Sequence, residues 1–246
     1  MMDSSYWRNS YSGLVVRPTR KLFYGQFLWR ICMYIPGSGV INQRTGTVQE
    51  NIEFRMRNWH NWPNYNWAGS WGGAVGPRPQ LQNSIDLNQL LLVQDLCDQL
   101  GKQIRVRIEE PHVQFYANDE QTIRYIAERF AGYPLCVMEV NGPENDRCQQ
   151  LLISGAIIRQ SPASHRYKIN LRDGRYGVAV KQQILTYIDS LGDQIHLTDS
   201  CRHQLRSDHD MMWNVHFLTN DSDIRIFLSL INPNLVRNFH ELVVPD

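Results

Sequence analysis

Between residues 25 and 35 apolar side chains fall at every second position, Phe27, Trp29, Ile31, Met33 and Ile35, and a period of two predicts a half-buried strand. Pro36-Gly37-Ser38-Gly39 ends it. Leu90, Leu91, Val93, Leu96 and Leu100 then recur at helical spacing, opened by Ser84 or Asp86 as N-cap and closed by Gly101. Two further strands are read at 103–109 and 112–117, on either side of Glu110-Pro111. Asn118 or Asp119 caps a helix with Ile123, Ile126, Ala127 and Phe130 on one side, ending at Gly132. A last strand runs over 135–140.

Part of this pattern repeats. Val113-Gln114-Phe115-Tyr116-Ala117-Asn118-Asp119 returns as Val215-His216-Phe217-Leu218-Thr219-Asn220-Asp221, and in both copies an alternating strand runs through Asn-Asp into an apolar-periodic helix. The second copy reads as strand 166–172, helix 178–191, strand 194–199, strand 213–219, helix 222–230 and strand 239–244. Each copy has the order β-α-β-β-α-β, the ferredoxin-like arrangement. The fold expected is therefore α+β, two tandem ferredoxin-like units with antiparallel sheets. The boundaries read are an irregular N-terminal arm at 1–20, a first unit at 21–143, a joint at 144–164 with a short strand at 151–158, and a second unit at 165–246. The connection at 201–210 is charged and reads as exposed, and Asn-Asp reads as a helix cap in both copies.

Residues 42–84 break the pattern. Trp59, Trp62, Trp67 and Trp71, four of the seven tryptophans, lie here among Asn, Gly and Pro, and Trp71-Gly72-Gly73-Ala74-Val75-Gly76-Pro77 cannot hold a regular helix. The stretch reads as a long insertion in the first unit. A loop of this length is functional or packed. With Arg55, Arg57, His60 and Arg78 beside the rings, residues 55–79 are expected to contact a protein partner or a second copy of the chain.

At 246 residues the chain has room for two domains of about 100 to 120 residues. A net charge of +1 removes the argument a globally basic chain would make for nucleic acid, and leaves a local basic face open. Residues 1–20 carry no apolar secretory core, and no apolar run approaches the roughly 20 residues that span a bilayer, so a cytoplasmic location without membrane contact is expected. Five widely spaced cysteines, with no Cys-x-x-Cys pair, read as reduced and mostly buried thiols.

Alternation also assigns the open face of each sheet, the one its helices leave uncovered. In the first unit that face is expected to hold Arg30, Tyr34, Arg105, Arg107, Gln114 and Tyr116; in the second, Lys168, Asn170, Arg172, Asn214 and His216. Guanidinium groups for phosphate and ring planes for bases are what single-stranded nucleic acid requires. Single-stranded nucleic acid is the ligand expected at Arg30, Tyr34, Arg105, Arg107, Tyr116, Lys168 and Arg172. No phosphate-binding glycine loop, nucleophile elbow or His-Glu-x-x-His spacing is present, so no cofactor, metal or catalytic residue is expected. The crowd of His196, Asp199, Cys201, His203, Asp208, His209 and Asp210 reads as a solvated connection.

Three resemblances bear on function. The layout resembles RNA-recognition modules, although residues 112–117 lack their glycine and aromatic run. It is also similar to CRISPR repeat-processing endoribonucleases, which would make His165 a base and Arg166 or Lys168 its electrostatic support; the glycine-rich loop near their C-terminus is missing here, where no glycine follows Gly192. Finally, Phe23-Tyr24-Gly25-Gln26-Phe27, the strand–Asn-Asp–helix pair, and Pro233-Asn234-Leu235-Val236 leading to Glu241-Leu242-Val243 resemble uncharacterised proteins of phages and other viruses. That resemblance implies a viral, non-enzymatic accessory protein. A structural subunit of a larger assembly and an RNA-processing nuclease are the alternatives.

Overall fold

The computed structural model, which describes residues 2–42, 50–51, 53, 86–109, 111–133 and 135–245, has the chain folded from its first residues. Asp3 accepts the Tyr6 amide and caps helix α1 (Ser4–Ser10), which buries Trp7, and strand β1 (Val15–Pro18) follows. Residues 1–20 are thus not an irregular arm. The insertion at 42–84, with Trp59, Trp62, Trp67 and Trp71, lies almost wholly outside the described residues.

The chain divides into two compact units, Met1–Thr19 with Gln26–Asn145, and Arg20–Gly25 with Asp146–Asp246. The first unit continues with β2 (Trp29–Tyr34), α2 (Leu87–Leu100), β3 (Arg105–Glu109), β4 (His112–Ala117), α3 (Glu120–Arg129) and β5 (Val137–Gly142). Asp86 accepts the Asn88 amide and opens α2; Gly101, at φ +45°, closes it in a conformation that favours glycine. Asp119 caps α3 through the Thr122 amide. The sheet runs β1-β5-β2-β4-β3. Its β1–β5 pair is parallel, so a mixed five-stranded sheet replaces the four antiparallel strands expected. Trp29, Ile31, Met33, Val113 and Phe115 are buried on one side of the sheet, and α2 and α3 contribute Leu90, Val93, Leu96, Ile123 and Ile126 to the interior, with Phe130 just after α3. The two helices are tied by Arg129 to Asp95 and Tyr125 to Gln99.

One position in this core tolerates no side chain. A Cβ built on Gly142 would stand 2.1 Å from Cζ3 of Trp29, whose ring is buried. Gly142→Ala is expected to destabilise by about 3 kcal/mol, the upper end for overpacking, because neither the strand nor the indole has room to yield. Urea denaturation measures it; a loss below about 0.5 kcal/mol would show that the contact relaxes at no cost.

The second unit opens with α4 (Asp146–Ile153) and β6 (Ile157–Ile158), so the joint at 144–164 contains a helix, and the strand expected at 151–158 begins as the end of that helix and is strand only at Ile157–Ile158. It continues with β7 (Tyr167–Leu171), β8 (Gly174–Arg175), α5 (Val178–Ser190), β9 (Ile195–Leu197), α6 (Asp199–Arg206), β10 (Met211–Met212), β11 (His216–Thr219), α7 (Ile224–Ile231) and β12 (Val236–Val243). The stretch 201–210, expected as an exposed link, is half helix, with Cys201 and Leu205 buried and Thr198 as N-cap. The sheet runs β6-β12-β7-β11-β9, with β6 parallel to β12, and a short β8–β10 ribbon stands apart. Ile169, Leu171, Phe217 and Leu197 pack with Ile184, Leu185, Ile188, Ile224 and Leu228. The second Asn-Asp does a different job from the first. Asn220 accepts the Arg166 amide, Asp221 accepts that of Asp223, and α7 starts without a side-chain cap.

Candidate functional site

Pairing registers define the open face of each sheet residue by residue. In the first unit one row reads Arg17, Asn141, Arg30, Tyr116, Arg105, and the next Val15, Glu139, Cys32, Gln114, Arg107; Tyr34, His112 and Glu109 form a third. Arg30, Arg105 and Arg107 therefore share a face, but much of the charge is compensated. Arg30 lies 2.6 Å from Glu139 Oε1 and also donates to Asn141 Oδ1 at 2.8 Å. Arg107 pairs with Glu109. Tyr116 is buried at 3% exposure, its hydroxyl donating to Gln114 and its ring 6.3 Å from that of Phe27, so it is not the exposed stacking ring expected. Strand β2 begins only at Trp29, and Phe27, before it, leaves the alternation and packs near Tyr116. Tyr34 is 41% exposed, edge-on to His112.

The second face has a different balance. Its rows are His240, Lys168, Leu218, His196 and Asn238, Asn170, His216. Arg172 continues the alternation of Lys168 and Asn170 just beyond β7 and is exposed. Asn214 is not on the strand: it turns the chain before β11 with φ +51°, held by a 2.6 Å bond from its amide to Asp173. Lys21 comes to this unit with residues 20–25, fastened where the Ile158 amide donates to the Arg20 carbonyl at 2.8 Å. Among the described residues neither Lys21 nor Lys168 has a carboxylate within ion-pair distance.

The electrostatic signature is mutual repulsion in a poorly solvated place. Burial holds the Lys168 ammonium below its ordinary range. Lys21 is lowered by burial and then by the charges of Lys168 and Arg237. His216 is lowered by burial and then by Lys168, against a weak bond to the Asn214 carbonyl and with a further push from Lys21. His240 is lowered by burial, against a bond to the Gly155 carbonyl, and then by Lys21 and Lys168. Lys21 and His240 escape the sequence reading because only the strand register and the course of residues 20–25 bring them to Lys168.

The remaining candidates are not assembled into a site. His165 is tied to the Ser164 hydroxyl at 2.9 Å, and Arg166 is bound to Glu241 at 2.9 Å through both Nε and a terminal nitrogen, so the nearest nuclease-like triplet has its guanidinium already committed. Burial raises the Cys136 and Cys201 thiols to about 12 and Cys97 to about 11, which removes them as nucleophiles at neutral pH. Among the described residues no group of three or more His, Cys, Asp or Glu is placed to hold a metal ion, and no helix is long and apolar enough to cross a membrane. Function has to be read from these side chains, since the chain matches no protein-family model, no curated protein and no solved structure.

Proposed function

We propose that the chain is a pair of ferredoxin-like units acting as a non-enzymatic accessory protein, one that binds single-stranded nucleic acid, alone or in a nucleoprotein complex, through its basic sheet faces. The second unit's face is the principal contact. The strand orders β5-β2-β4-β3 and β12-β7-β11-β9 support the fold assignment, each placing the last, first, third and second strands of a β-α-β-β-α-β series side by side, with β1 or β6 added at the edge. The observation that carries the functional reading is the uncompensated charge of Lys168 and Lys21. Fixed cations that repel one another and lack carboxylates are relieved by an incoming polyanion, and neutralising phosphates releases counterions. Arg30 and Arg107, committed to Glu139 and Glu109, contribute less. Tyr34 offers a ring for base stacking in the first unit.

Titration of labelled single-stranded RNA, single-stranded DNA and duplex at two salt concentrations tests this. Single strands are expected to bind in a salt-sensitive way. Lys168→Ala should weaken binding to every sequence alike and make the salt slope shallower by about one, with Arg107→Ala doing less. Absence of binding at low salt, or an unchanged slope for Lys168→Ala, overturns the reading.

A further inference from the structure

Among the described residues, two buried polar atoms on the second unit's face, Asn170 Nδ2 and His240 Nε2, have no hydrogen-bond partner. Buried polar groups in folded proteins are nearly always paired, and an exception calls for a specific reason, an ion or ligand among them. These two sit beside Lys168: His240 lies directly opposite it on β12, and Asn170 is two residues along β7 on the same face. Opposed side chains on neighbouring strands start about 5 Å apart, so all three are within side-chain reach of one small anion.

His240 has a defined tautomer. Its Nδ1 lies 2.7 Å from the Gly155 carbonyl oxygen, which can only accept, so Nδ1 carries the proton. In the neutral ring Nε2 is then a bare lone pair, and a second proton converts it into a donor. Burial, and then the positive charges of Lys21 and Lys168, hold the ring's pKa below its ordinary range, against the bond to Gly155. Arg237 adds positive charge near Lys21, and His216 and His196 share the face. Glu241, the nearby carboxylate on β12, is bound by Arg166.

We propose that Lys21, Lys168, Asn170 and His240 together bind one phosphate group, and that its binding draws a proton from solvent onto His240 Nε2. The two ammonium groups supply charge, the Asn170 amide a neutral donor, and the protonated imidazole a fourth donor fixed in direction by Gly155. This deepens the reading above and rests on it for the source of the phosphate, a single-stranded backbone. The sign of the pH effect follows. An anion at Nε2 raises the His240 pKa from its depressed free value. Affinity therefore grows as pH falls through the bound value and levels off below the free one, by up to about tenfold per pH unit for one proton. The full chain thereby becomes a tighter binder on mild acidification.

Oligouridylate is the probe, because neither its backbone nor its bases titrate in the relevant range. Its affinity is measured at constant ionic strength from about pH 8 to about pH 5.5, for the natural protein and for His240→Gln, with the His240 imidazole followed by NMR with and without ligand. His216 and His196 titrate on the same face, so the difference between the two proteins is what reports on His240. The expected result is a rise in affinity on acidification that His240→Gln largely removes, an upward move of the His240 titration when oligouridylate is bound, and weaker binding by Asn170→Leu at every pH. Binding whose pH dependence is the same in both proteins, with an unmoved His240 titration, overturns this inference and leaves the nucleic-acid reading standing. No binding at any pH in low salt overturns both.

Discussion

Lys181→Met is expected to cost the second unit about 3–5 kcal/mol, far more than losing a surface lysine. Lys181 lies on α5 and is buried to 1% exposure. Its ammonium donates to the carbonyls of Gln204 at 3.0 Å, Ser207 at 3.1 Å and His209. Two of these belong to the end of α6 and the residue after it, where the last carbonyls of a helix lack intrahelical donors and the dipole is negative. A single cation thus satisfies a frayed helix end and pins the loop that follows. The loop in turn carries the Asp210 carbonyl, which accepts the Tyr176 amide at 2.7 Å, and leads into β10, where Met212 is buried. Methionine keeps the volume and removes all three bonds, so the loss measured by urea denaturation reports the bonds rather than a cavity. Amide exchange should quicken first over residues 207–212. A loss below about 1 kcal/mol would mean that water replaces the ammonium without penalty.

The contrast between what alternation reveals and what it hides runs through both units. Trp29, Ile31 and Met33 are legible because a strand with one buried face shows its period in one short window, and Asp119 is legible because a cap sits next to what it caps. Strand β1 is not legible, and of the short strand expected at 151–158 only the end, β6, is strand. Both are short, their burial does not alternate cleanly, and their partners β5 and β12 lie far along the chain. Helix α6 hides for another reason: it buries only Cys201 and Leu205 among charged neighbours, too narrow a stripe to stand out. The same limits apply to the site. Lys168 and Asn170 follow from the period of β7 alone. His240 requires the β7–β12 register, which a bulge between Val236 and Asn238 shifts, and Lys21 requires the crossing of residues 20–25 into the second unit. Arg30 and Arg107 were placed on the right face by alternation, yet their worth as cations depends on Glu139 and Glu109 across or along the strands, a matter of tertiary neighbours.

Trp7→Ala should destabilise the first unit by about 3–5 kcal/mol, the range for emptying a core of a large aromatic ring. Nothing around Trp7 marks it as core in the sequence, since Ser, Tyr, Arg and Asn surround it, yet its ring is fully buried. The indole is stacked on Tyr11 at 6.0 Å and edge-on to Tyr6 at 5.2 Å, and Nε1 donates to Glu120 at 3.0 Å. Glu120 opens α3 and also accepts from Arg124, whose guanidinium lies 3.8 Å over the Tyr6 ring and reaches Asp3 at 3.5 Å. The N-terminal helix is therefore docked on α3 by one buried ring and a ring of polar ties around it. Trp7→Phe keeps most of the apolar contact and loses the bond to Glu120, leaving a half-buried carboxylate one donor short, so about 1–2 kcal/mol is expected from it. The two variants separate the contributions: if packing dominates, Phe restores most of the stability that Ala removes. A Trp7→Ala protein with unchanged urea midpoint would instead return residues 1–20 to the status of an arm, because a segment that can lose its only fully buried ring without penalty is not part of the core.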